Sequence, residues 1–258
     1  MALRKSLADL ARRALKTAGF RAVAREIRGA PVQIPVDMGE LRSLIFNPAY
    51  SPFFNEDEVM NVLETKLRPA DIVFDVGAYC GVWAMLLARH AREVVAFEPN
   101  PGTFEVLQET IAVNRARNVS ACAVAVGGES READFWGTGS GASLQPGPHN
   151  PGRTRVTVDT LDHLAETRSR LPDVLKIDVE GAEQQVLSGA SHCLAHARVV
   201  CIELHFEELP KFGGSPARVA DLMSHAGFVE IARSTPARLG SEDPSRLHVI
   251  YERRSESR

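Results

Sequence analysis

A rhythm of short apolar strands and helices, starting at Asp71, constrains this chain more than any other feature. Residues 72–76 form an apolar run, followed by a glycine-bearing turn and a helical pattern over about 82–89. Further strands are predicted at 94–97, within 118–126, at 174–177, 199–204, 229–232 and 248–251, with helices over about 103–114, 181–187 and 217–225 between them. Strands alternating with helices predict a mostly parallel sheet covered on both faces, because each crossover needs a helix that lies on the sheet. The interval 127–170 breaks the rhythm. It holds Phe135 and Trp136, a Gly/Ser/Pro-rich tract over 137–152, a strand-like stretch at 155–158 and a helix-like one at 161–165. It is expected to be an insertion within one domain, and its irregular tract is a candidate cover for a ligand.

Composition adds exclusions. With 44% hydrophobic and 24% charged residues, the chain of 258 residues is neither disordered nor collagen-like. The longest apolar stretch, 82–88, is too short for a membrane span, which needs ~20 residues. No secretory h-region stands at the start. Cys80, Cys122, Cys193 and Cys201 show no pairing or zinc-like spacing, so reduced thiols in a cytoplasmic protein are expected.

The net charge of −3 hides an asymmetry: residues 1–30 carry eight basic and two acidic side chains, so the rest of the chain balances at −9. Leu3, Leu7, Leu10 and Ala14 recur at helical spacing and predict an amphipathic basic helix over about 2–18. Such a helix can dock on its own domain, meet a protein partner, lie on an anionic membrane surface or act as a transit-like leader. The expected division is a basic helix and irregular connector over 1–55 and one domain over 56–258, with its core at 71–252.

Chemistry concentrates at predicted strand ends. Asp75-Val76-Gly77-Ala78-Tyr79-Cys80-Gly81 follows the first strand of the repeat, where doubly wound folds bind nucleotide-like ligands. Gly77 allows a sharp turn and Gly81 a close ligand approach. Neither a dinucleotide fingerprint nor a P-loop is present. An acid at Asp75 disfavours a pyrophosphate and suits a ligand carrying positive charge. Glu98 ends the second strand, 21 residues beyond Gly77, where a carboxylate accepts hydrogen bonds from ribose hydroxyls.

Lys176-Ile177-Asp178-Val179-Glu180-Gly181 closes the fourth strand, and Lys176 and Asp178 share one of its faces. The fifth strand ends in Glu203-Leu204-His205, again with the two polar residues on one face. If these strands are neighbours, Asp178 and His205 converge. His205 then suits a general base near neutral pH. Asp178, Glu203 and His205 could instead ligate a hard divalent cation. Glu183 is expected to be only a helix-start charge.

Together these segments, with Phe97-Glu98-Pro99-Asn100-Pro101, Thr160-Leu161-Asp162 and Leu175 through Glu183, make the region from about Asp71 to Glu252 resemble the FkbM-type methyltransferases, which use S-adenosylmethionine (SAM). The resemblance implies a class I methyltransferase (Rossmann-like) fold: an α/β, doubly wound, mostly parallel seven-stranded sheet with helices on both faces, here with an N-terminal helical extension. It implies SAM as methyl donor and a hydroxyl oxygen of a sugar or natural product as acceptor, for example a fucosyl or rhamnosyl group. By position, Asp75, Gly77, Ala78, Tyr79 and Gly81 would hold the methionine part, Glu98 with Pro99 and Asn100 the ribose, and Ala125 and Val126 the adenine. Asp178 and Glu180 would face the reaction centre, Asp178 also beside the cofactor; from the residues themselves, His205 or Asp178 is expected as base, Glu203 with Glu180 to orient acceptor hydroxyls or a cation, and Trp136 to stack on a sugar ring. Tyr79 departs from the Asn or His common there in this family. A SAM-binding protein without catalysis and another ribose-cofactor enzyme are the rival classes. Nucleic acid is not expected as a partner, because the body of the chain is acidic.

Overall fold

The computed structural model describes residues 14–19, 21–35, 57–137, 141–146, 152–234 and 246–254. Its centre is a seven-stranded sheet built from β3 (Ile72–Val76), β4 (Glu93–Phe97), β5 (Val119–Cys122), β9 (Val174–Ile177), β10 (Val199–His205), β11 (Phe228–Arg233) and β12 (Arg246–Arg253), in the order β11-β12-β10-β9-β3-β4-β5. Pairings from β5 through β10 are parallel, and β12 runs antiparallel to both neighbours. The chain order reverses between β3 and β9, which opens a crevice beyond their carboxyl ends.

The pleat explains the two layers. Val73, Val94, Ala96, Val174, Val199 and Cys201 point to one face, covered by α1 (Asp57–Lys66), α2 (Val82–Leu87) and α3 (Pro101–Asn114). Phe74, Val95, Phe97, Leu175, Ile177, Val200 and Ile202 point to the other, where α4 (Leu161–Arg168), α5 (Glu183–Ser188), α6 (Ser191–His196) and α7 (Pro216–His225) pack. The central strands are apolar on both faces, as a doubly covered sheet requires.

The stretch 127–170 carries a small three-stranded sheet, β6 (Ala125–Val126), β8 (Arg153–Asp159) and β7 (Arg131–Trp136), followed by α4. Thr160-Leu161-Asp162 serves as a structural clip. Thr160 caps α4 by accepting from His163 N (3.2 Å), and the Asp162 carboxylate accepts from His192 N (3.0 Å) and Cys193 N (2.9 Å) at the start of α6.

The N-terminal region corrects one expectation. The predicted helix over 2–18 lies mostly outside the described residues, which show helix only at 14–17. Residues 22–35 are no helix or irregular connector; they form an antiparallel hairpin, β1 (Ala22–Ile27) with β2 (Ala30–Pro35). Arg28 (φ 51°) and Gly29 (φ 70°) make its two-residue turn in the left-handed conformation that matches strand twist. Pro31 and Pro35 are tolerated because the ribbon has only two strands, both of them edges. Ile27, Val32 and Ile34 bury into the core, and Asn114 of α3 brackets Gln33 with bonds of 2.8 Å to its backbone N–H and C=O. The rest of the expected connector, 36–56, lies outside the described residues.

Candidate active site

At the carboxyl end of the sheet, the apolar face under α2 turns polar. Asp75 and Lys176 are register partners on β3 and β9, and Glu203 and His248 are partners on β10 and β12. The pleat puts His205 on the same side as Glu203. All five side chains are buried. Trp83 of α2 closes over them, with Lys176 Nζ 5.6 Å from its ring centroid and the His248 ring stacked at 6.4 Å.

The first half of the site is the turn after β3. The N–H groups of Gly77 and Ala78 both donate to Phe97 O at 3.0 Å, tying the turn to the end of β4. Gly77 adopts φ +77°, and a Cβ there would stand 1.7 Å from Asp178 O, so only glycine fits against the β9 turn. Gly81 (φ +85°) opens α2, and its missing Cβ leaves room for Leu107. Tyr79 is held at φ +50°, an unusual conformation for a bulky residue, and its N–H donates to Glu98 Oε2 (3.1 Å). Asn100 N–H donates to the other oxygen of Glu98 (2.8 Å). Burial pushes the Glu98 carboxyl up to about 7 despite the two N–H donors.

Asn100 has less freedom than expected of a cofactor ligand. Its side chain caps α3, accepting from Gly102 N (3.1 Å) and Thr103 N (3.2 Å), and donates to Gly137 O (3.1 Å). Pro99 is half-buried beside it. Ala125 and Val126 follow β5 as expected, with side chains buried in apolar clusters. Trp136 ends β7 half-buried, with the Arg153 guanidinium over its ring at 5.8 Å. Its tract nevertheless reaches the site at two points: Gly137 meets Asn100, and Ser143 Oγ donates to Glu180 O (3.2 Å).

The second half is a ring of carboxylates around one imidazole. Lys176 Nζ lies 3.3 Å from Asp75 Oδ1 and 3.2 Å from Asp178 Oδ2. Burial raises Asp75, which Lys176 opposes. Burial alone would raise Asp178 too, but Lys176 and His205 more than reverse it and hold that carboxyl below the usual range. Glu203 is pushed up by burial and by the neighbouring Asp178 charge. Glu180 sits in the left-handed region at φ 52°, and its Oε1 lies 3.4 Å from Arg246 Nη1. Backbone strain of this kind concentrates at functional sites.

His205 is at the centre, and its position differs from that of an open general base. It is fully buried, with Nδ1 2.8 Å from Glu183 Oε1. Its Nε2 lies 3.4 Å from Glu180, 3.8 Å from Asp178 and 3.9 Å from Glu203. Burial opposes its protonation, yet Glu180 and Glu183 raise its pKa well above the usual value. In this state it holds a proton rather than waits for one, and it stands behind the carboxylates. Asp178, with its side chain 25% exposed, is the most open of the carboxylates around the imidazole.

Glu183 is the residue that sequence reasoning missed. It does stand in the first turn of α5, as expected, but it is also a fully buried link between Gly181 N (2.9 Å) and His205. The signal available was only its place five residues after Asp178; its burial depends on α5 packing against β10.

The turn and carboxylate ring fit a ribose-bearing cationic cofactor on one side and a hydroxyl-bearing acceptor on the other. Glu98 offers a buried carboxylate with lone pairs left over for two hydroxyls, and Asp75 has only the Lys176 ammonium, 3.3 Å away, as a charged partner among the described residues.

The methyltransferase FkbM domain family matches residues 75–230. The hexuronic acid methyltransferase AglP of Haloferax volcanii is 31% identical over 181 residues, 66% of this chain and 69% of that protein. The 31-O-demethyl-FK506 methyltransferase FkbM of Streptomyces tacrolimicus is 29% identical over 228 residues, 74% of this chain and 83% of that one. A crystal structure of methyltransferase FkbM from Methylobacillus flagellatus superposes with a TM-score of 0.50 at 16% identity, over 72% of this chain and 44% of that one. This chain thus spans under half of that solved protein. An rRNA methylase from Streptococcus thermophilus shares the fold alone, with a TM-score of 0.51 at 11% identity over 80% of this chain and all of that one.

Proposed function

The chain belongs to the FkbM family of SAM-dependent methyltransferases, and from that premise we propose that it transfers a methyl group to a hydroxyl oxygen of a sugar or of a small-molecule natural product. The observation that carries this reading is the contact between the two halves of the site. The Gly77 turn abuts Asp178 O so closely that no side chain fits between them. A donor held over the turn and an acceptor oxygen beside Asp178 are therefore neighbours.

SAM supplies a methyl group on a cationic sulfur that is already a good leaving group. What remains for the protein is mainly positioning and proton handling. Glu98, preset by the N–H groups of Tyr79 and Asn100, accepts the two ribose hydroxyls. Gly77, Ala78, Tyr79 and Gly81 shape the methionine side, and the acidic lining, with Asp75 beneath, suits its cationic groups. Pro99, Ala125 and Val126 complete the adenosine side.

The acceptor hydroxyl is a weak nucleophile, and its proton must leave as the new bond forms. Asp178 is the group placed to accept that hydrogen bond, since it is ionised and the most exposed of the cluster. Glu180 and Glu203 orient further hydroxyls, and His205 and Glu183 hold the carboxylates in place. AglP and FkbM, whose names record a hexuronic acid and 31-O-demethyl-FK506 as acceptors, support an oxygen-bearing sugar or natural-product acceptor. Gly137, next to Trp136, and Ser143 touch the site through Asn100 and Glu180, which supports a role for Trp136 in covering a sugar ring. No helix among the described residues is long and apolar enough to cross a membrane. A lipid-linked acceptor in the cytoplasm would give the basic N-terminus a surface to meet.

Labelled-methyl transfer from SAM into candidate glycans, lipid-linked sugars and polyketides, with mass mapping of the product, tests the proposal. Label on a sugar or polyketide oxygen supports it. SAM binding with no transfer to any such acceptor, or label on nitrogen or carbon, overturns it. Asp178→Asn should lower kcat by ~100-fold or more with SAM affinity retained, within the range of general-base contributions.

A further inference from the structure

We infer that Asp178, Glu203 and His205 form a binding site for a divalent first-row transition-metal ion. The ligand atoms of these residues all lie within 4.8 Å of one another. A cluster of acids alone would not carry this inference; the imidazole does. His205 is fully buried, and its Nε2 makes no hydrogen bond among the described residues while it points into the carboxylates.

The other ring nitrogen is fixed. Nδ1 meets Glu183 Oε1 at 2.8 Å, and that carboxylate is pinned in turn by the Gly181 N–H at 2.9 Å. A carboxylate that takes the Nδ1–H of an imidazole aims Nε2 at the carboxylates, so that an ion can replace the Nε2 proton there, as histidines that bind metal ions require. Glu183 thus acts as a positioning residue.

Charge favours a cation at this point. Asp178, Glu180 and Glu203 converge on Nε2 from 3.4 to 3.9 Å, with Glu183 behind the ring. Lys176 is shared between Asp75 and Asp178, Arg246 Nη1 lies 3.4 Å from Glu180 and 3.9 Å from Glu203, and His248 Nε2 lies 3.7 Å from Glu203. Buried like charges this close need a cation among them; the imidazolium proton of His205 fills that role in the metal-free protein, and an ion bound at Nε2 would displace it.

Geometry needs a modest adjustment. Ligand bonds of ~2.0–2.2 Å place neighbouring ligand atoms roughly 3.0–3.6 Å apart. The separations from Nε2, 3.8 Å to Asp178 and 3.9 Å to Glu203, with all three ligand atoms within 4.8 Å of one another, need a contraction of up to about 1 Å, within reach of side-chain rotation. One nitrogen and two carboxylates form a mixed donor set, which selects Mn2+, Fe2+ or Zn2+ over Ca2+ and Mg2+. Asp178 is partly exposed, so the ion would keep open positions toward the cleft, as catalytic sites do. Those positions suit acceptor hydroxyls; this role rests on the methyl-transfer reading above, whereas ion binding does not.

The test uses the full chain, stripped with EDTA and dialysed, then titrated with Mn2+ by electron paramagnetic resonance and with Zn2+ by calorimetry. One ion per chain is expected. Glu203→Gln and Glu183→Gln should each weaken binding ~10–100-fold. The second variant leaves all three ligands intact, so a loss there reports on aiming of the imidazole. Circular dichroism and SAM affinity, measured alongside, show that each variant is folded. No stoichiometric binding of either ion at 1 mM, or affinity unchanged in both folded variants, overturns the site and leaves a proton on Nε2 as the occupant of that space. Methyl transfer that persists in EDTA without bound ion would then keep the methyltransferase reading. An ion bound as expected in a protein that methylates no acceptor supports the site while refuting that reading.

Discussion

Cofactor affinity should depend on pH through Glu98. Its carboxyl is buried, and burial lifts its pKa from 4.5 to about 7. That difference makes the charged form about 3 kcal/mol costlier than in water. The sign follows from linkage. A group whose folded pKa is raised stabilises the fold below its unfolded pKa, and this contribution is lost as pH rises through about 7. Without cofactor, the protein should therefore be less stable at pH 8 than at pH 5, by about 3 kcal/mol from this group alone.

Ribose hydroxyls reverse the preference, because they donate to the carboxylate. SAM should bind the ionised form, which makes up roughly a tenth of the protein at pH 6 and nine-tenths at pH 8. Affinity should rise about tenfold over that interval, with close to one proton released per SAM at pH 6. Calorimetry at pH 6, 7 and 8, in two buffers of different ionisation enthalpy, measures both quantities. Glu98→Gln is the control, since it retains the ligand's own titration and removes that of the carboxyl. An affinity that is flat from pH 6 to 8, or the same pH dependence in Glu98→Gln, would refute the reasoning.

Three further outcomes are expected. Gly77→Ala places a methyl 1.7 Å from Asp178 O at φ +77°; left-handed strain and overpacking together should cost about 2–4 kcal/mol and weaken SAM at least tenfold, and a melting temperature within 2 °C of the parent would count against the packed turn. Lys176→Met leaves Asp75 buried without its cation; a loss of about 3–5 kcal/mol should appear in urea unfolding, and a loss below 1 kcal/mol would show that the pair is dispensable. Removal of residues 1–35 strips Ile27, Val32 and Ile34 from the core; at ~1.5–3 kcal/mol for each side chain, melting should fall by more than ~10 °C, and an unchanged melting temperature would restore the hairpin to the status of an accessory leader.

Much of the sheet was legible before any coordinates. The strands predicted at 72–76 and 174–177 have those bounds, those at 94–97, 199–204, 229–232 and 248–251 differ by one or two residues at their ends, and the stretch 118–126 contains β5 at Val119–Cys122. Doubly buried strands are continuous apolar runs, and Gly77, Gly81 and Pro101 mark the turns between them. Two misses have a common cause. The β1–β2 hairpin hid behind Pro31, Pro35 and an Arg-Gly turn, because its partner surface, α3, lies about 80 residues away. Glu183 looked like only a helix-start charge because nothing local reveals that α5 buries it against His205.

Periodicity and strand-end chemistry, by themselves, determined the layered parallel sheet, the glycine turn, the strand-end acid Glu98 and the pairs Lys176/Asp178 and Glu203/His205. These are properties of alternation within single strands, where a spacing of two puts side chains on one face. Only tertiary structure decided what each group does there. It set β9 beside β10, so that four carboxylates surround one buried imidazole. It gave Lys176 to two acids and committed the Asn100 side chain to a helix cap. Ionisation and hydrogen bonding depend on burial and on neighbours remote in sequence, and these exist only once the strands have assembled.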